Sequence, residues 1–175
     1  MYTFSTENWT RPDEEVTGLF GLIDGAVRQY TDELIEEGVR VRVTGRVHEA
    51  PADVQRSIRA AEDRTRAGSR LDLNICFNYS GRAEIVDAVR ALVAAGADPQ
   101  DIDEEHFAQH LYTAGQPDVD LVIRTGGDQR TSNFLLWQAA YAELVFCDTY
   151  WPDFTTADFD AALEAYASRE RRFGS

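Results

Sequence analysis

The sequence has 175 residues, of which 43% are hydrophobic and 27% charged, a content typical of a globular domain with a buried core rather than of a disordered chain. Its 31 acidic residues outnumber its 17 basic ones, which gives a net charge of −14, and all 17 basic residues are arginine. Such an acidic chain argues against a nucleic-acid partner, because that binding depends on a basic surface that contacts phosphates.

Strands and helices alternate along the first 70 residues. Apolar residues at three- and four-residue spacing after Pro12 predict a long amphipathic helix, and alternation of valine with polar residues after Gly38 predicts a strand. We expect four elements here: the end of a strand at residues 2–4, a helix from Pro12 to near Gly38, a strand over Val39–Thr44 and a helix from Pro51 to about Gly68.

The rest of the chain continues this alternation. We expect a strand over Leu71–Tyr79, a helix after Gly81, a short helix over 101–111, a strand over Leu121–Arg124, a helix over 133–142, a strand over 144–146 and a closing helix over 155–172. This order predicts one α/β domain over residues 1–175, an open, mainly parallel sheet with helices on both faces. Ligands of such sheets bind beyond the carboxyl ends of the strands, so the polar residues that follow Phe4, Phe77, Ile123 and Phe146 are candidate site residues.

The segment RTGGDQRTSN, residues 124–133, is the strongest local signal for a binding site. Arg124 and Arg130 can bind phosphate oxygens with two hydrogen bonds each, and Gly126 and Gly127 allow close approach of the backbone. Ser132 and the amides that open the next predicted helix can donate further hydrogen bonds. The alternative is a glycine turn with Ser132 as a helix cap and both arginines in solvent.

Two further points in the sequence carry candidate site residues. The polar cluster STENWTRP, residues 5–12, lies between a predicted strand and a helix; capping explains its serine, threonine and asparagine but not Trp9 or Arg11. Glu143 is a lone carboxylate just before a predicted strand. It can bind Mg²⁺ that bridges to a diphosphate, or it can simply be solvated.

Taken together and in this order, these clusters resemble the cis-prenyltransferase family, which includes the undecaprenyl diphosphate synthases. The resemblance extends over the whole chain. It rests on residues 2–12 (YTFSTENWTRP), 73–82 (LNICFNYSGR), 120–137 (DLVIRTGGDQRTSNFLLW), 138–143, 151–154 (WPDF) and 169–174 (RERRFG).

The resemblance implies an enzyme that adds isopentenyl diphosphate in cis to an allylic prenyl diphosphate, with Mg²⁺, on a homodimeric α/β fold with an apolar product tunnel. It further implies a role for each matching residue. Isopentenyl diphosphate would be held by Arg124, Arg130, Thr131 and Ser132, Mg²⁺ by Glu143, and the substrate site would be lined by Ser5, Thr6, Glu7, Trp9 and Arg11, with Asn8 near the proton that is lost. Residues 172–174 would reach the subunit interface.

The chain departs from the family pattern at its beginning. Family members start with a strand and an Asp-Gly-Asn-Gly-Arg loop, whose aspartate binds Mg²⁺ and which holds the allylic diphosphate. The 175 residues contain neither, so we expect them to lack the family's first strand and to turn over poorly alone. The alternatives are a non-catalytic partner subunit of a heteromeric cis-prenyltransferase and a phosphate-binding module unrelated to prenyl chemistry.

The sequence also suggests where the protein works. No apolar stretch approaches the roughly 20 residues that span a bilayer, and no signal segment follows Met1, so we expect a cytoplasmic protein with at most transient contact with a membrane surface when a lipid product leaves. The acidic, lysine-free composition has two explanations, codon bias and adaptation to a salty cytosol. We favour the second, with a halophilic archaeon as the source.

Overall fold

The computed structural model describes residues 1–169. These residues form two compact units, Met1–Ala114 and a second unit that begins at Gly115. The expectation of a single domain over 1–175 stays a prediction. Within residues 1–169, no helix combines the length and apolar character needed to cross a membrane.

A three-stranded parallel sheet organises the first unit. Its central strand is β3, Leu71–Tyr79, with β1, Tyr2–Ser5, on one side and β2, Val39–Thr44, on the other. β2 and β3 pair without interruption from Val39 opposite Leu71 to Thr44 opposite Cys76, whereas the pairing of β1 with β3 shifts register twice. The strands predicted over residues 39–44 and 71–79 are confirmed to the residue, and the strand end predicted at 2–4 is a short strand.

Four α-helices belong to the first unit: α1, Asp13–Glu36; α2, Ala52–Thr65; α3, Gly81–Ala94; and α4, Glu104–Ala108. Each of the first two follows a proline, which fixes a backbone angle suited to a helix start. Ser80 caps α3 by accepting the Ala83 backbone N–H. The helix predicted from residue 101 begins later, because the Asp103 side chain accepts the His106 N–H and so caps the helix at that point.

The core of the first unit lies between its sheet and the two long helices. Phe4 and Phe77 on neighbouring strands are each 1% exposed and pack against Phe20 of α1 with ring centroids 5.4 and 5.9 Å away. Val54 and Ile58 of α2 complete the cluster. Because burial of each such side chain stabilises the fold by about 1.5–3 kcal/mol, this cluster anchors the strand end that carries the polar residues 5–11.

The second unit contains a parallel pair of strands. β4, Leu121–Arg124, pairs with β5, Glu143–Phe146, from Leu121 opposite Glu143 to Arg124 opposite Phe146. α5, Thr156–Ala167, begins at a capping box in which the Thr155 N–H donates to Asp158 and the Asp158 N–H donates to the Thr155 hydroxyl. The closing helix therefore starts close to where it was predicted. The tail predicted at residues 172–174 lies outside the described residues.

The helix predicted over 133–142 is wrong: this segment is a series of turns. Ser132, Asn133 and Leu135 have φ values of 48°, 64° and 44°, which a right-handed helix cannot contain. The hydrogen bonds within the segment include one with α-helical spacing, from the Ala139 N–H to the Leu135 carbonyl. The helix whose first amides were expected to bind phosphate is therefore absent from this part of the structure.

Candidate active site

Two arginines converge at the carboxyl end of β4. The Arg124 guanidinium donates to the Ser132 hydroxyl at 2.6 Å and to the Arg130 carbonyl at 2.6 Å, and Arg130 Nε donates to the same hydroxyl at 3.2 Å. Ser132 has a φ of 48°, in the left-handed region. The structure thus brings together three of the four residues predicted to hold isopentenyl diphosphate.

The carboxylate of Asp128 lies between the two guanidinium groups. Its Oδ2 accepts from Arg124 at 2.8 Å and from Arg130 at 2.6 Å, and its Oδ1 accepts from Arg130 at 2.8 Å. Asp128 was not among the residues of this loop that were predicted to form the site. A carboxylate two to four residues from two arginines was the available signal for this contact.

The two glycines of the loop shape the chain rather than offer amides to a ligand. Gly126 and Gly127 have φ values of 89° and 80°, in the region that favours glycine. Their N–H groups donate to the carbonyls of Thr149 and Cys147 at 2.9 Å each. Both donors hold the loop against the chain that follows β5, and the expectation that these glycines allow close approach of the backbone to a ligand stays a prediction. The fourth predicted residue, Thr131, is half-buried, and its carbonyl accepts the Phe134 N–H.

The predicted substrate-lining residues 5–11 lie in the first unit, at the carboxyl end of β1. Thr6–Thr10 forms one turn of 3-10 helix, and Asn8 Oδ1 accepts the Ser5 backbone N–H at 2.8 Å. The Thr6 hydroxyl donates to the exposed Glu7 carboxylate at 3.2 Å, while Arg11 pairs with Glu15 of α1. The capping explanation thus holds for Asn8, whose side-chain oxygen serves the backbone.

Trp9 has a buried partner that sequence reasoning missed. Its indole N–H donates to Asn78 Oδ1 at 2.8 Å, and its ring packs on Phe4 and Phe20 with centroids 5.5 and 5.4 Å away. Asn78 is 0% exposed, has a φ of 47° and donates through its amide to the Arg46 carbonyl and to Glu49. As the polar residue directly after Phe77, Asn78 was a predicted candidate site residue, but its contact with Trp9 was not predicted.

A second group of polar side chains, also missed, lies beside Asn78. Arg46 donates to both oxygens of Asp87, at 2.8 and 3.0 Å, and Tyr112 donates its hydroxyl to the same carboxylate. The guanidinium holds the pKa of Asp87 below its ordinary value, and burial raises the pKa of Tyr112 to about 12. Nothing in the one-dimensional pattern joined these residues, because they are 25 to 66 positions apart.

Glu143 lies at the other end of the β4–β5 ladder from the arginines. Glu143 pairs with Leu121, which comes three residues before Arg124. It therefore lies roughly 10 Å from Arg124 along the strand direction. Its carboxylate pairs with Arg169, which also donates to the Leu144 carbonyl at 3.2 Å. The structure does not bring Glu143 together with the arginine loop.

The residue predicted to hold Mg²⁺ does not lie beside Arg124 in this arrangement. Mg²⁺ in such sites is bound by one or two carboxylates that lie next to the phosphate oxygens, whereas Glu143 lies roughly 10 Å from Arg124 along the strand direction and is paired with Arg169. Residues 1–169 also contain no group of three or more acidic, histidine or cysteine side chains placed to hold a metal. The metal-binding role of Glu143 stays a prediction.

Comparisons with known proteins agree with this fold and with these motifs. The prenyltransferase family model of the undecaprenyl diphosphate synthases matches residues 1–174. The isoprenyl transferase of Brucella suis is 49% identical over 99% of this chain and 70% of its own length, and the (2Z,6E)-farnesyl diphosphate specific trans,polycis-polyprenyl diphosphate synthase of Thermobifida fusca is 49% identical over 99% and 63%.

A solved structure extends the comparison to three dimensions. The lavandulyl diphosphate synthase of Lavandula x intermedia, in complex with dimethylallyl diphosphate, superimposes with a TM-score of 0.94 at 35% identity, covering 99% of this chain and 77% of that one. The family model, the two bacterial relatives and this structure agree with one another. The chain belongs to the undecaprenyl diphosphate synthase family of cis-prenyltransferases and has the α/β fold of that family.

Proposed function

We propose that the protein condenses isopentenyl diphosphate in cis onto an allylic prenyl diphosphate and so makes a long-chain polyprenyl diphosphate. Membership of the family supports this reaction, and one observation in the structure carries the assignment of a site. Arg124 and Arg130 direct three guanidinium N–H groups at a single carboxylate, which is the donor arrangement that a terminal phosphate group also requires.

The chemistry explains why the site needs these groups. Each condensation joins two prenyl carbons, releases one diphosphate and loses one proton. Arginines bind and orient isopentenyl diphosphate because their planar donors match phosphate oxygens, and their charge survives at any physiological pH. The Ser132 oxygen accepts hydrogen bonds from both guanidinium groups, and its O–H can rotate to donate to a phosphate oxygen. Thr131, between Arg130 and Ser132, is assigned to the same diphosphate site.

The segment after β1 is proposed to serve the hydrocarbon and the proton. Asn8 is assigned to the position near the proton that is lost, with Ser5, Thr6, Glu7, Trp9 and Arg11 around the substrate. The contact of Trp9 with Phe4 and Phe20 supports an apolar surface at this point, since a carbocation-like transition state needs a site without water. The Glu15 partner of Arg11 is half-exposed, so this guanidinium can exchange it for an anion.

Four further parts of the proposal rest on the resemblance and the composition. We assign Mg²⁺ as the metal, a homodimer as the assembly, and the cytoplasm as the compartment, with transient contact at the membrane surface when the product leaves. The charge of −14 without lysine supports a halophilic archaeal source. A test of the last point is unfolding in low salt: loss of the fold below about 0.1 M salt supports it, and full stability there favours codon bias.

Arg124→Ala tests the diphosphate assignment. Loss of a charged partner costs about 2–5 kcal/mol of binding, so affinity for isopentenyl diphosphate measured by calorimetry should fall at least thirtyfold. Arg124→Lys keeps the charge but loses the paired donors, so its affinity for isopentenyl diphosphate should lie between those of the wild type and Arg124→Ala. The matched control is Arg56→Ala, which removes an exposed arginine of α2.

Two outcomes contradict parts of this proposal. Unchanged affinity in Arg124→Ala removes the arginine loop from the binding site. Normal binding without any chain elongation, restored only when a catalytic homologue is added, favours the partner-subunit alternative over the enzyme.

A further inference from the structure

The contact between Asp128 and the two arginines has a geometry that the proposed function does not explain. A diphosphate-binding loop in an already acidic protein gains nothing for affinity from another carboxylate. Yet Asp128 accepts three hydrogen bonds of 2.6 to 2.8 Å from Arg124 and Arg130, at the position where the donors of both side chains meet. An anion that used the same donors would have to take the place of this carboxylate.

Electrostatics gives the carboxylate a role before substrate arrives. Arg124 and Arg130 both donate to Asp128 Oδ2, so their charged groups lie within a few ångströms of each other. Two like charges this close repel, and an intervening anion converts the repulsion into attraction on both sides. Asp128 therefore holds the two guanidinium groups at the spacing at which a phosphate group finds them.

The loop also allows this side chain to leave. Asp128 is 43% exposed and Arg130 63%, whereas Arg124 is 24% exposed, so only one side of the ion pair is fixed. The backbone before Asp128 is anchored by the Gly126 and Gly127 hydrogen bonds to the chain after β5. Displacement thus needs a rotation of one side chain rather than movement of the loop, at the small cost typical of an exposed ion pair.

We propose that Asp128 is a positioning residue that occupies the anion site as an internal stand-in for the diphosphate and is displaced by it. This rests on the proposed function, because the arginines must be the diphosphate ligands. In this role Asp128 sets the affinity that an anion must exceed in order to bind the two arginines. A monoanion such as a carboxylate or bicarbonate gains too little to replace the resident group, whereas a diphosphate presents more charge and more acceptors to the same donors.

The test is binding of inorganic diphosphate to the whole chain by calorimetry, without metal. Asp128→Asn, which keeps the shape and removes the charge, should bind diphosphate about three- to tenfold more tightly than the wild type, as should Asp128→Ser. Asp128→Glu keeps a carboxylate and should bind no more tightly than the wild type. Structural damage cannot imitate this result, because damage to the site weakens binding.

Two control variants separate this inference from a general charge effect and from failure of the proposed function. Asp148→Asn removes an exposed carboxylate near Gly127 that makes no hydrogen bond to either arginine within residues 1–169, and it should leave diphosphate affinity within twofold of the wild type. Arg124→Ala should weaken binding.

If Arg124→Ala weakens binding but Asp128→Asn is equal to or weaker than the wild type, the displacement inference is overturned and the arginine site stands. If Asp148→Asn tightens binding as much as Asp128→Asn, the effect is one of net charge and the inference also fails. If Arg124→Ala changes nothing, the site assignment itself is wrong.

Discussion

Asn78 is the residue whose replacement tests the structure of the site most directly. Replacement by alanine removes three side-chain hydrogen bonds, to the Trp9 indole, the Arg46 carbonyl and Glu49. Because Trp9 and Glu49 are about 40% exposed and can turn to water, the loss is smaller than three full bonds, about 2 kcal/mol. Alanine at a φ of 47° adds about 1 kcal/mol, since a left-handed backbone is costly for a residue with a Cβ atom.

The expected total for Asn78→Ala is therefore about 3 kcal/mol, or a fall of about 6–12 °C in Tm for a chain of this length. Asn78→Gly separates the two contributions, because glycine tolerates the backbone angle but restores no hydrogen bond; it should cost about 2 kcal/mol. Urea unfolding followed by circular dichroism measures both. A loss below 1 kcal/mol in Asn78→Ala would refute the hydrogen-bond argument, and equal losses in the two variants would refute the backbone argument.

Three further predictions concern the same end of the sheet. The Arg46 guanidinium lowers the pKa of Asp87 below its ordinary value of 3.8, so this pair stabilises the fold above pH 3.8 and ceases to do so as the pH falls through the folded-state pKa. The free energy of unfolding should therefore fall less steeply with decreasing pH in Asp87→Asn than in the wild type, and equal slopes would contradict this prediction. Burial raises the pKa of Tyr112 to about 12, so the neutral phenol stabilises the fold below pH 10, the ordinary pKa of tyrosine, and this contribution is lost as the pH rises through 12. Absorbance titration of Tyr112→Phe should show one fewer phenol ionising near pH 12 than in the wild type, and an unchanged titration curve would count against this prediction. Gly45→Ala places a Cβ 2.1 Å from the Phe77 carbonyl oxygen and should cost about 3 kcal/mol or more in urea unfolding. Gly25→Ala in α1 meets no atom within 4 Å and should be neutral or stabilising, so similar losses in the two alanine variants would reject this reasoning.

The sequence predicted best those elements whose side-chain period and backbone preference agree. In Val39–Thr44 the buried Val39 and Val41 alternate with the half-buried Arg40 and Arg42, and the pairing with β3 runs without a bulge, so the pattern alone located the strand. Segment 133–142 has apolar residues at helical spacing, but its Asn133 and Leu135, and Ser132 just before it, have a left-handed backbone. Serine and asparagine tolerate that conformation without requiring it, and leucine does not favour it. No local sequence signal therefore predicted the turns.

The candidate site was predictable as a set of residue types but not as a set of contacts. The arginines, the serine and the polar segment after β1 were found because parallel sheets bind ligands at their carboxyl ends. The contacts of Asp128 and of Asn78 and the Arg46–Asp87 pair were missed, because each depends on which side chain packs beside another. The opposite placement of Glu143 and Arg124 likewise follows from the register of two strands, which spacing along the chain does not determine.

The pairing of β1 with β3 is shorter and less regular than that of β2 with β3. The polar segment after β1 should therefore be less stable than the rest of the sheet. β1 joins the sheet by only four residues and two register shifts, whereas β2 is paired with β3 over six consecutive positions. In amide hydrogen exchange, the N–H groups of β2 and β3 should therefore report opening of the whole sheet. Those of residues 2–10 should exchange through a smaller opening that leaves β2 and β3 intact. We therefore expect residues 5–11 to open at a free-energy cost below that of unfolding the sheet, while β2, β3 and the core between them stay folded.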